Sequence, residues 1–236
     1  MKVYYDLHIH SALSPCGDND MTPNNIVNMS ILKGLDIIAV TDHNSCGNVR
    51  AVQQVAEGNI VVVPGMEIET SEEVHIVTLF PDIDRAEEME RILKESYIPI
   101  KNRPEIFGNQ YYMNCHDEIV AEEERLLVTA TGLDIYSVVE NAAKLGGVAI
   151  PAHIDRTSYS ILSNLGFIPP DLNTGTVEIT SVNREKMENE YKMYTVITDS
   201  DAHYLGDISE PIYMLDIKEK TPKGVIESLM TKNLKK

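Results

Sequence analysis

The histidines of this chain lie mainly where apolar runs end. Seven occur in 236 residues, and six of them fall within or just after segments with the pattern of β-strands. These six are His8, His10, His43, His75, His153 and His203. Imidazole combined with carboxylate is a ligand set for zinc, iron or manganese, whereas calcium requires oxygen ligands. The placement predicts a metal site of that kind without distinguishing among the three metals.

Acidic residues follow the same rule as the histidines. His8 and His10 are two residues apart, so their side chains point to the same side of an extended strand. His43 follows IIAV after Thr41 and Asp42, and Glu67 follows the run VVVPG after Met66. His153 follows AIPA, and Asp201 lies in TDSDAH after another apolar run. A single histidine in an apolar strand is more often a hydrogen-bonded core residue than a ligand. Five strand ends with the same device are not explained that way, and together they predict one shared site.

Short β-branched runs that alternate with amphipathic segments indicate the elements that position these residues. Such alternation is typical of strand and helix units around a largely parallel sheet, which binds ligands at the carboxyl ends of its strands. We predict strands at Val3–His8, Asp36–Val40, Ile60–Val63, Val74–Phe80, Gly147–Pro151, Thr176–Thr180 and Tyr194–Thr198. Capping residues predict helices from Thr22-Pro23 to Gly34, over Asn48–Glu57, over Asp134–Leu145, and from Thr221-Pro222 toward Lys235.

A chain of this length with 43% hydrophobic residues is expected to form one domain over residues 1–236. The stretch 99–124 departs from the strand and helix rhythm because it holds Pro104, Gly108 and paired tyrosines. We interpret it as a small insertion within that domain, in the form of a hairpin or lid.

Charge, the amino terminus and the cysteines narrow the classes of partner and location. The formal net charge is −17, and such a surface repels polyanions unless a basic groove is set aside for them. Nucleic acid is therefore disfavoured except as a short oligonucleotide. No apolar run is long enough for a signal segment or a bilayer crossing, which predicts no membrane partner. Three scattered cysteines, Cys16, Cys46 and Cys115, are too few for a disulfide framework, and we expect a cytoplasmic location.

The ordered motifs resemble those of the polymerase and histidinol phosphatase (PHP) superfamily of metal-dependent phosphoesterases. The matching residues are DLHIHS, TDH, the glutamate after PG at Glu67, AH at His153, and SDAH, and they span residues 6 to 203. The resemblance implies an α/β fold, a distorted (β/α)7 barrel with its metal site at the C-terminal rim of the strands. It also implies up to three divalent metal ions, Zn, Mn or Fe, as cofactors.

The same resemblance implies a ligand set. One metal would be held by His8, His10, Glu67 and Asp201, a second by Glu67, His75 and His153, and a third by Asp18, His43 and His203. Asp20 is the alternative to Asp18, because SPCGDND stands where the family has a short serine-aspartate-glycine. His116 is the alternative to His75, because some relatives take that ligand from a later segment. Cys16 and Cys46 adjoin two motifs, but the family pattern supplies no thiolate there, so neither is predicted to be a ligand.

The chemistry implied by the resemblance is hydrolysis of a phosphate ester. The nucleophile would be a hydroxide that bridges two metals, since divalent cations lower the pKa of bound water. We assign Asp201, Glu67 and Arg156 to the catalytic apparatus. Arg156 is the first candidate for a phosphate contact, ahead of Arg184 and Arg103.

Three aspartates that adjoin the motifs, Asp6, Asp42 and Asp199, are candidates for orienting the imidazoles. A carboxylate commonly accepts the second ring N–H of a metal-bound histidine, which sets its tautomer. Capping of nearby loops or helices is about as common a role for any one of them.

The expected substrate is a small phosphorylated molecule, that is, a phosphomonoester, a nucleotide or a short oligonucleotide. Three other hypotheses stay open. A proofreading-type exonuclease, or phosphodiesterase, would need a basic track that the chain lacks. Amidohydrolase-like hydrolysis of a non-phosphate bond uses similar His-x-His strands, but those barrels often use a carboxylated lysine and no lysine lies at a strand end. A non-catalytic regulatory PHP domain would have lost ligands, whereas every expected ligand type is present.

Overall fold

A curled mixed sheet with helices on its outer face carries the fold. The structure, a computed structural model, describes residues 1–230 except for the side chain of Asn183. The strands are β1 Lys2–Ile9, β2 Ile37–Val40, β3 Val61–Glu69, β4 His75–Leu79, β5 Tyr111–Met113, β6 Ile119–Glu122, β7 Val148–Pro151, β8 Thr176–Glu178, β9 Thr195–Ile197 and β10 Met214–Asp216. The α-helices are α1 Pro23–Leu32, α2 Val49–Ala56, α3 Ile83–Lys94, α4 Pro104–Phe107, α5 Ile135–Lys144, α6 Ile161–Leu165, α7 Arg184–Glu190 and α8 Pro222–Met230.

Six strands pair in the order β10-β1-β2-β3-β4-β7, and β8 pairs with β9 in parallel. Backbone hydrogen bonds join the two sheets at both ends: Ile154 N donates to Glu178 O at 2.9 Å, and His10 N donates to Ala202 O at 2.9 Å. Each of the seven predicted strands overlaps one of β1 to β4 or β7 to β9, and these seven surround a common interior. The predicted α/β fold with a distorted barrel is confirmed.

One strand runs against the expected direction. β4 is antiparallel to both β3 and β7, because the chain between Glu69 and His75 is too short for the crossover that a parallel pair requires. The reversal places His75, the first residue of β4, opposite Glu69, the last residue of β3. His75 therefore lies at the same rim as the carboxyl ends of the parallel strands.

The helices begin and end at the residues that the capping pattern indicates. The side chain of Thr22 accepts from the backbone N–H of Asn25 at the start of α1, with Pro23 in the first turn, and Asp134 accepts from Ser137 N at the start of α5. Gly34, at φ +81°, follows α1 in the left-handed region. The last helix begins at Pro222 as predicted, and its predicted extension toward Lys235 lies outside the described residues.

The apolar core has two parts that lie on opposite faces of the sheet. The outer cluster packs the sheet against the helices, with Ile26, Val52, Met89 and Val138 among its fully buried or nearly fully buried members. The interior cluster fills the curl of the sheet with Leu7, Ile37, Val63, Val77, Ile150 and Ile197, and α8 contributes Val225 and Leu229. Residues that share strand parity with the interior cluster therefore point toward the barrel axis.

The segment 99–124 contains α4 and the antiparallel pair β5–β6. It packs on the loop after β1, where Tyr111 N donates to Ala12 O at 2.8 Å. Gly108 has φ +101°, and a Cβ there would overlap the carbonyl oxygen of Pro15. Close backbone contact of this kind holds the segment against the loop that follows the first histidine pair.

Within residues 1–230 there is no helix with the length and apolar character that a membrane crossing requires.

Candidate metal centre

An irregularity in β1 aims the first two histidines inward. Tyr5 and Leu7 belong to the interior cluster, whereas Ile9 belongs to the outer one, and the pairing of β1 with β2 shifts register between Asp6 and Ile9. Such a shift turns the following side chains to the other face of a strand. His8 and His10, both 0% exposed, consequently face the barrel axis.

Glu67 lies at the centre of the cluster and has interior parity, in phase with Val63 on β3. The residue is 1% exposed. Five imidazole nitrogens approach its two carboxylate oxygens: His75 Nδ1 at 2.9 Å, His43 Nδ1 at 3.0 Å, His153 Nε2 at 3.2 Å, His8 Nε2 at 3.3 Å and His10 Nε2 at 3.4 Å. A carboxylate with this many partners can bridge two metal ions.

Asp201 supplies a second carboxylate opposite Glu67. Its Oδ1 is 3.0 Å from His10 Nε2 and 3.3 Å from His8 Nε2, and it is 3.7 Å from His203 Nδ1. Asp201 has φ +51°, and His153 has φ +31°. Positive φ in non-glycine residues is uncommon, and its occurrence in two candidate ligands is typical of functional sites.

Three sets of side chains could each hold a metal ion, because within each set the potential ligand atoms lie within 4.8 Å of one another. The sets are His8, His10, Glu67 and Asp201; His43, Glu67 and His75; and His10, His43 and His203. The first set is the one expected for the first metal. His153 joins the cluster through its contact with Glu67, so eight of the nine predicted ligands are brought together.

Asp18 is the ninth predicted ligand, and its carboxylate is turned toward its own loop. Asp18 Oδ1 accepts from Asp20 N at 2.8 Å, and Asp18 N donates to His203 O at 2.9 Å. Asp20, the alternative, is exposed. His116, the alternative to His75, is also exposed in the segment 99–124, and His75 occupies the position beside Glu67.

Outer hydrogen bonds orient the two buried histidines of β1. His8 Nδ1 is 2.9 Å from Glu178 Oε2, and His10 Nδ1 is 2.8 Å from Ser14 Oγ, which donates to Asp42 Oδ1 at 2.7 Å. Glu178 was not among the predicted site residues. Its signal in the sequence was an acidic residue within a predicted strand, close to the pattern that identified the candidate ligands.

The three aspartates expected to orient imidazoles have divided roles. Asp42 reaches His10 through Ser14, and its Oδ2 also accepts from Ser11 Oγ at 2.6 Å. Asp6 instead accepts from Ser200 N at 3.1 Å and Ser209 N at 2.8 Å. Asp199 accepts from Leu7 N at 2.6 Å. The last two therefore tie loops to β1 through backbone groups.

The electrostatics of the cluster favour ionised carboxylates. Burial raises the pKa of Glu67, but His75, His8 and His43 outweigh it and hold that pKa well below its usual range. Burial lowers the pKa of His8, while Glu178, Asp201 and Glu67 raise it well above its ordinary value. For His10, burial and the neighbouring His43 lower the pKa to about 3, so its ring is neutral at pH 7. Ionised carboxylates and a neutral imidazole are ready metal ligands.

The residues present fit divalent cations. Among the described residues, His43 Nδ1 and His153 Nδ1 are buried ring nitrogens with no hydrogen-bond partner. His43 Nδ1 lies 3.0 Å from Glu67 Oε2, but without the alignment that a hydrogen bond requires. Buried polar atoms of this kind are costly unless something binds them. The nitrogen and oxygen donor set suits zinc, iron or manganese.

Arg156 stands at the mouth of the centre. Its Nη1 lies 2.5 Å from Asp201 Oδ2, and 43% of its side chain is exposed. It lines both the cavity of about 120 Å³ beside the candidate metal ligands and a neighbouring cavity of about 290 Å³. Of the weaker candidates, Arg184 donates to Thr198 Oγ1 and Arg103 stacks over the ring of Phe107 at 5.7 Å.

A curled α/β sheet with imidazoles and carboxylates gathered at one rim defines a metal-binding barrel. A profile of the PHP domain matches residues 6–160, and the chain belongs to the PHP family. It is 28% identical over 205 residues to an uncharacterized protein of Methanocaldococcus jannaschii. The aligned region covers 86% of this chain and 22% of that relative.

Solved structures show the same fold. Endonuclease Q of Pyrococcus furiosus, a lesion-specific endonuclease, superposes with a TM-score of 0.71 at 18% identity over 98% of this chain and 56% of its own. A putative metal-dependent phosphoesterase of Bifidobacterium adolescentis gives a TM-score of 0.61 at 15% identity, with 98% of this chain and 96% of that chain covered. The chain thus spans little more than half of the endonuclease and less than a quarter of the Methanocaldococcus jannaschii protein.

Proposed function

We propose that this chain is a metal-dependent phosphoesterase that hydrolyses a small phosphate ester. The observation that carries the proposal is the grouping of Glu67 and Asp201, whose side chains are 1% and 7% exposed, with six imidazoles at one barrel rim, beside a cavity that Arg156 also lines. Membership of the PHP family supports the same reaction class.

The proposed metal ligands are His8, His10, Glu67, His75, His153, Asp201, His43 and His203. Divalent cations held by them would lower the pKa of water and neutralise charge on a phosphoryl group. Glu67 and Asp201, ionised in the folded protein, would hold those cations. Glu178 and Ser14 would hold the rings of His8 and His10 in one orientation.

Arg156 would bind a non-bridging phosphate oxygen. Its guanidinium presents a fork of N–H donors that matches phosphate oxygens, and its side chain is exposed enough to leave Asp201 for a substrate. The adjacent cavity of about 290 Å³ would take the leaving group, and its lining includes the hydroxyl residues Thr180, Ser181, Thr198 and Ser209. Glu178, Asp207 and Glu210 also line it, which favours a neutral, hydroxyl-bearing leaving group over a polyanion.

A second candidate is cleavage of a phosphodiester in a short oligonucleotide. The observation in its favour is the fold likeness to endonuclease Q over 98% of this chain. The net charge of −17 and the acidic cavity oppose long nucleic acids as substrates.

The test is a substrate panel assayed on the purified chain with manganese, zinc or iron(II) added. The panel should hold phosphomonoesters, a nucleotide, a short oligonucleotide and amides. We expect turnover of a phosphate ester that chelation abolishes and that His153→Ala reduces severely, with His116→Ala as the exposed control. Turnover of amides alone would reject the proposal, and turnover of the oligonucleotide alone would favour the second candidate.

A further inference from the structure

One loop completes the wall of the cavity of about 120 Å³ beside the candidate metal ligands, called here the metal cavity. Six of the described residues that line it are candidate ligands, and the other three are Arg156, Ser158 and Tyr159. All three lie in the loop between β7 and α6, residues 152–160. Among the described residues, this loop therefore supplies the part of the wall that is free to select a substrate.

Hydrogen bonds hold the backbone of this loop in one path. Arg156 N donates to His153 O at 2.9 Å, and Ser160 Oγ donates to Arg156 O at 2.7 Å. Ser160 also caps α6 through a reciprocal pair of bonds with Ser163. Tyr159 comes directly before this cap, so its backbone is fixed from the side of the helix.

The ring of Tyr159 lies on a candidate ligand. It stacks on the imidazole of His75, with ring centroids 5.0 Å apart and planes at 24°, and Tyr159 O accepts from His75 N at 3.0 Å. Tyr159 has φ +53°, in the left-handed region that bulky residues rarely occupy. Strain of this kind persists where surrounding contacts impose it, and such positions cluster at functional sites. The ring is thus held in place although 48% of the residue is exposed.

Space beyond the metal cavity lies on the side of Arg156. The cavity of about 290 Å³ shares His153, Arg156 and Asp201 with the metal cavity, and neither Ser158 nor Tyr159 lines it. A groove of about 560 Å³ also shares Arg156, but its lining includes no candidate ligand. A group bound at the ligands therefore has room to extend past Arg156, whereas the Tyr159 ring closes the wall beside His75.

We propose that Tyr159 is a specificity-determining residue that restricts the centre to phosphomonoesters. This inference rests on the proposed function and deepens it. With Arg156 on a phosphate oxygen and the leaving group in the cavity of about 290 Å³, the Tyr159 ring occupies the space that the second ester arm of a diester requires. A monoester carries only an oxygen there. A terminal phosphate of an oligonucleotide meets the same condition, whereas an internal phosphodiester does not.

The experiment compares phenyl phosphate with diphenyl phosphate, which release the same phenol, on the full chain with manganese, zinc or iron(II) added. The unaltered protein and Tyr159→Phe should prefer the monoester. In Tyr159→Ala, kcat/KM for the diester relative to the monoester should rise about ten-fold or more, the size of effect that a single steric contact commonly has on discrimination. Tyr136→Ala, which removes a tyrosine of α5 that is 44% exposed, is the control and should leave the ratio unchanged.

Binding gives a second readout that needs no turnover. Phenylphosphonate and diphenylphosphinate carry one and two aryl arms on P–C bonds that hydrolysis does not break. Calorimetry should show that Tyr159→Ala binds diphenylphosphinate more tightly relative to phenylphosphonate, by a similar factor. Each ratio is compared between variants, so the difference in charge between the two ligands cancels.

Two results would overturn the role of Tyr159 and leave the proposed function standing. One is hydrolysis of phenyl phosphate with both ratios unchanged in Tyr159→Ala, and the other is a preference of the unaltered protein for the diester. An unaltered protein that hydrolyses no phosphate ester with any of the three metals would overturn the proposed function and this inference together.

Discussion

At the scale of single residues, the centre depends on partners that face away from the metal positions. His8 is fully buried between Glu67 and Asp201 on one side and Glu178 on the other. Glu178 Oε2 contacts the ring nitrogen of His8 that is remote from those two carboxylates, and Glu178 Oε1 accepts from His153 N at 3.3 Å. A hydrogen bond of that kind fixes the tautomer and increases the basicity of a metal-bound imidazole.

We predict that Glu178→Gln weakens metal binding roughly 10–100-fold, the cost commonly seen for such outer partners. The variant keeps the shape of the side chain but removes its charge. Competition titration with a zinc-binding dye would measure the affinity, and Glu188→Gln on the exposed face of α7 is the control. Unchanged affinity in Glu178→Gln would show that this carboxylate does not orient His8.

At the scale of elements, the segment 99–124 is held through Asn48. The Asn48 side chain is fully buried and makes three hydrogen bonds, to Ser11 Oγ at 2.9 Å, to Tyr111 O at 2.9 Å and from Met113 N at 2.8 Å. It therefore joins the start of α2 to β5 and to the loop after β1. Neither Asn48 nor the segment 99–124 lines the cavity of about 120 Å³ beside the candidate metal ligands.

We predict that Asn48→Ala lowers the free energy of unfolding by about 2–3 kcal/mol, because it leaves buried partners unsatisfied. Urea denaturation would measure the loss. Asn109→Ala is the control within the same segment, since its side chain makes an exposed 3.3 Å bond to Asn19, and it should change stability little. Equal losses in both variants would contradict this account of Asn48.

A second element-scale interaction ties the amino ends of β1 and β2 to the segment before α8. Asp36 accepts from Tyr4 N at 2.9 Å and from Lys220 Nζ at 2.8 Å. Slight burial raises the pKa of Asp36, but the bonds from Lys220 and Tyr4 outweigh it and lower the pKa below its ordinary value. The stabilisation is therefore present above the unfolded pKa, near 3.9, and is lost as the pH falls through the lower folded value.

We predict that Asp36→Asn costs about 1 kcal/mol at pH 7, the usual contribution of a hydrogen bond. The difference from the unaltered protein should shrink as the pH falls below about 4. Urea midpoints at neutral and acidic pH would measure it, with the exposed Asp84→Asn as the control. A difference that stays constant with pH would rule out ionisation of Asp36 as its source.

At the scale of the whole molecule, net charge decides which phosphorylated molecules approach. With a charge of −17, the surface repels polyanions over roughly 30 Å at about 10 mM salt and over about 8 Å at physiological salt. Arg156 at the mouth of the centre is a local exception. A small ester crosses this field at lower cost than an oligonucleotide with many phosphates.

We predict that a single-stranded oligonucleotide inhibits monoester hydrolysis more strongly as monovalent salt is added, because salt screens the repulsion. Inhibition constants measured across a salt series would test this, with inorganic phosphate as the small-anion control. Weaker inhibition with added salt would indicate counterion release from a basic binding track instead.

Much of the centre could be predicted from the sequence because its signals are local. Apolar runs that end in histidine or carboxylate indicated seven strands and eight candidate ligands that lie together in the structure. Caps such as Thr22 and Asp134 begin helices where predicted. Strand parity and capping act over a few residues, so a short window of sequence contains them.

Contacts between distant segments decided the rest. The register shift in β1 sets the direction of His8 and His10, and the short link before His75 reverses β4. The position of Glu178 beside His8, 170 residues away along the chain, depends on packing across the barrel. Composition and spacing show which ligand types the chain contains. The direction in which each side chain points is set by the register of the closed sheet and by its turns.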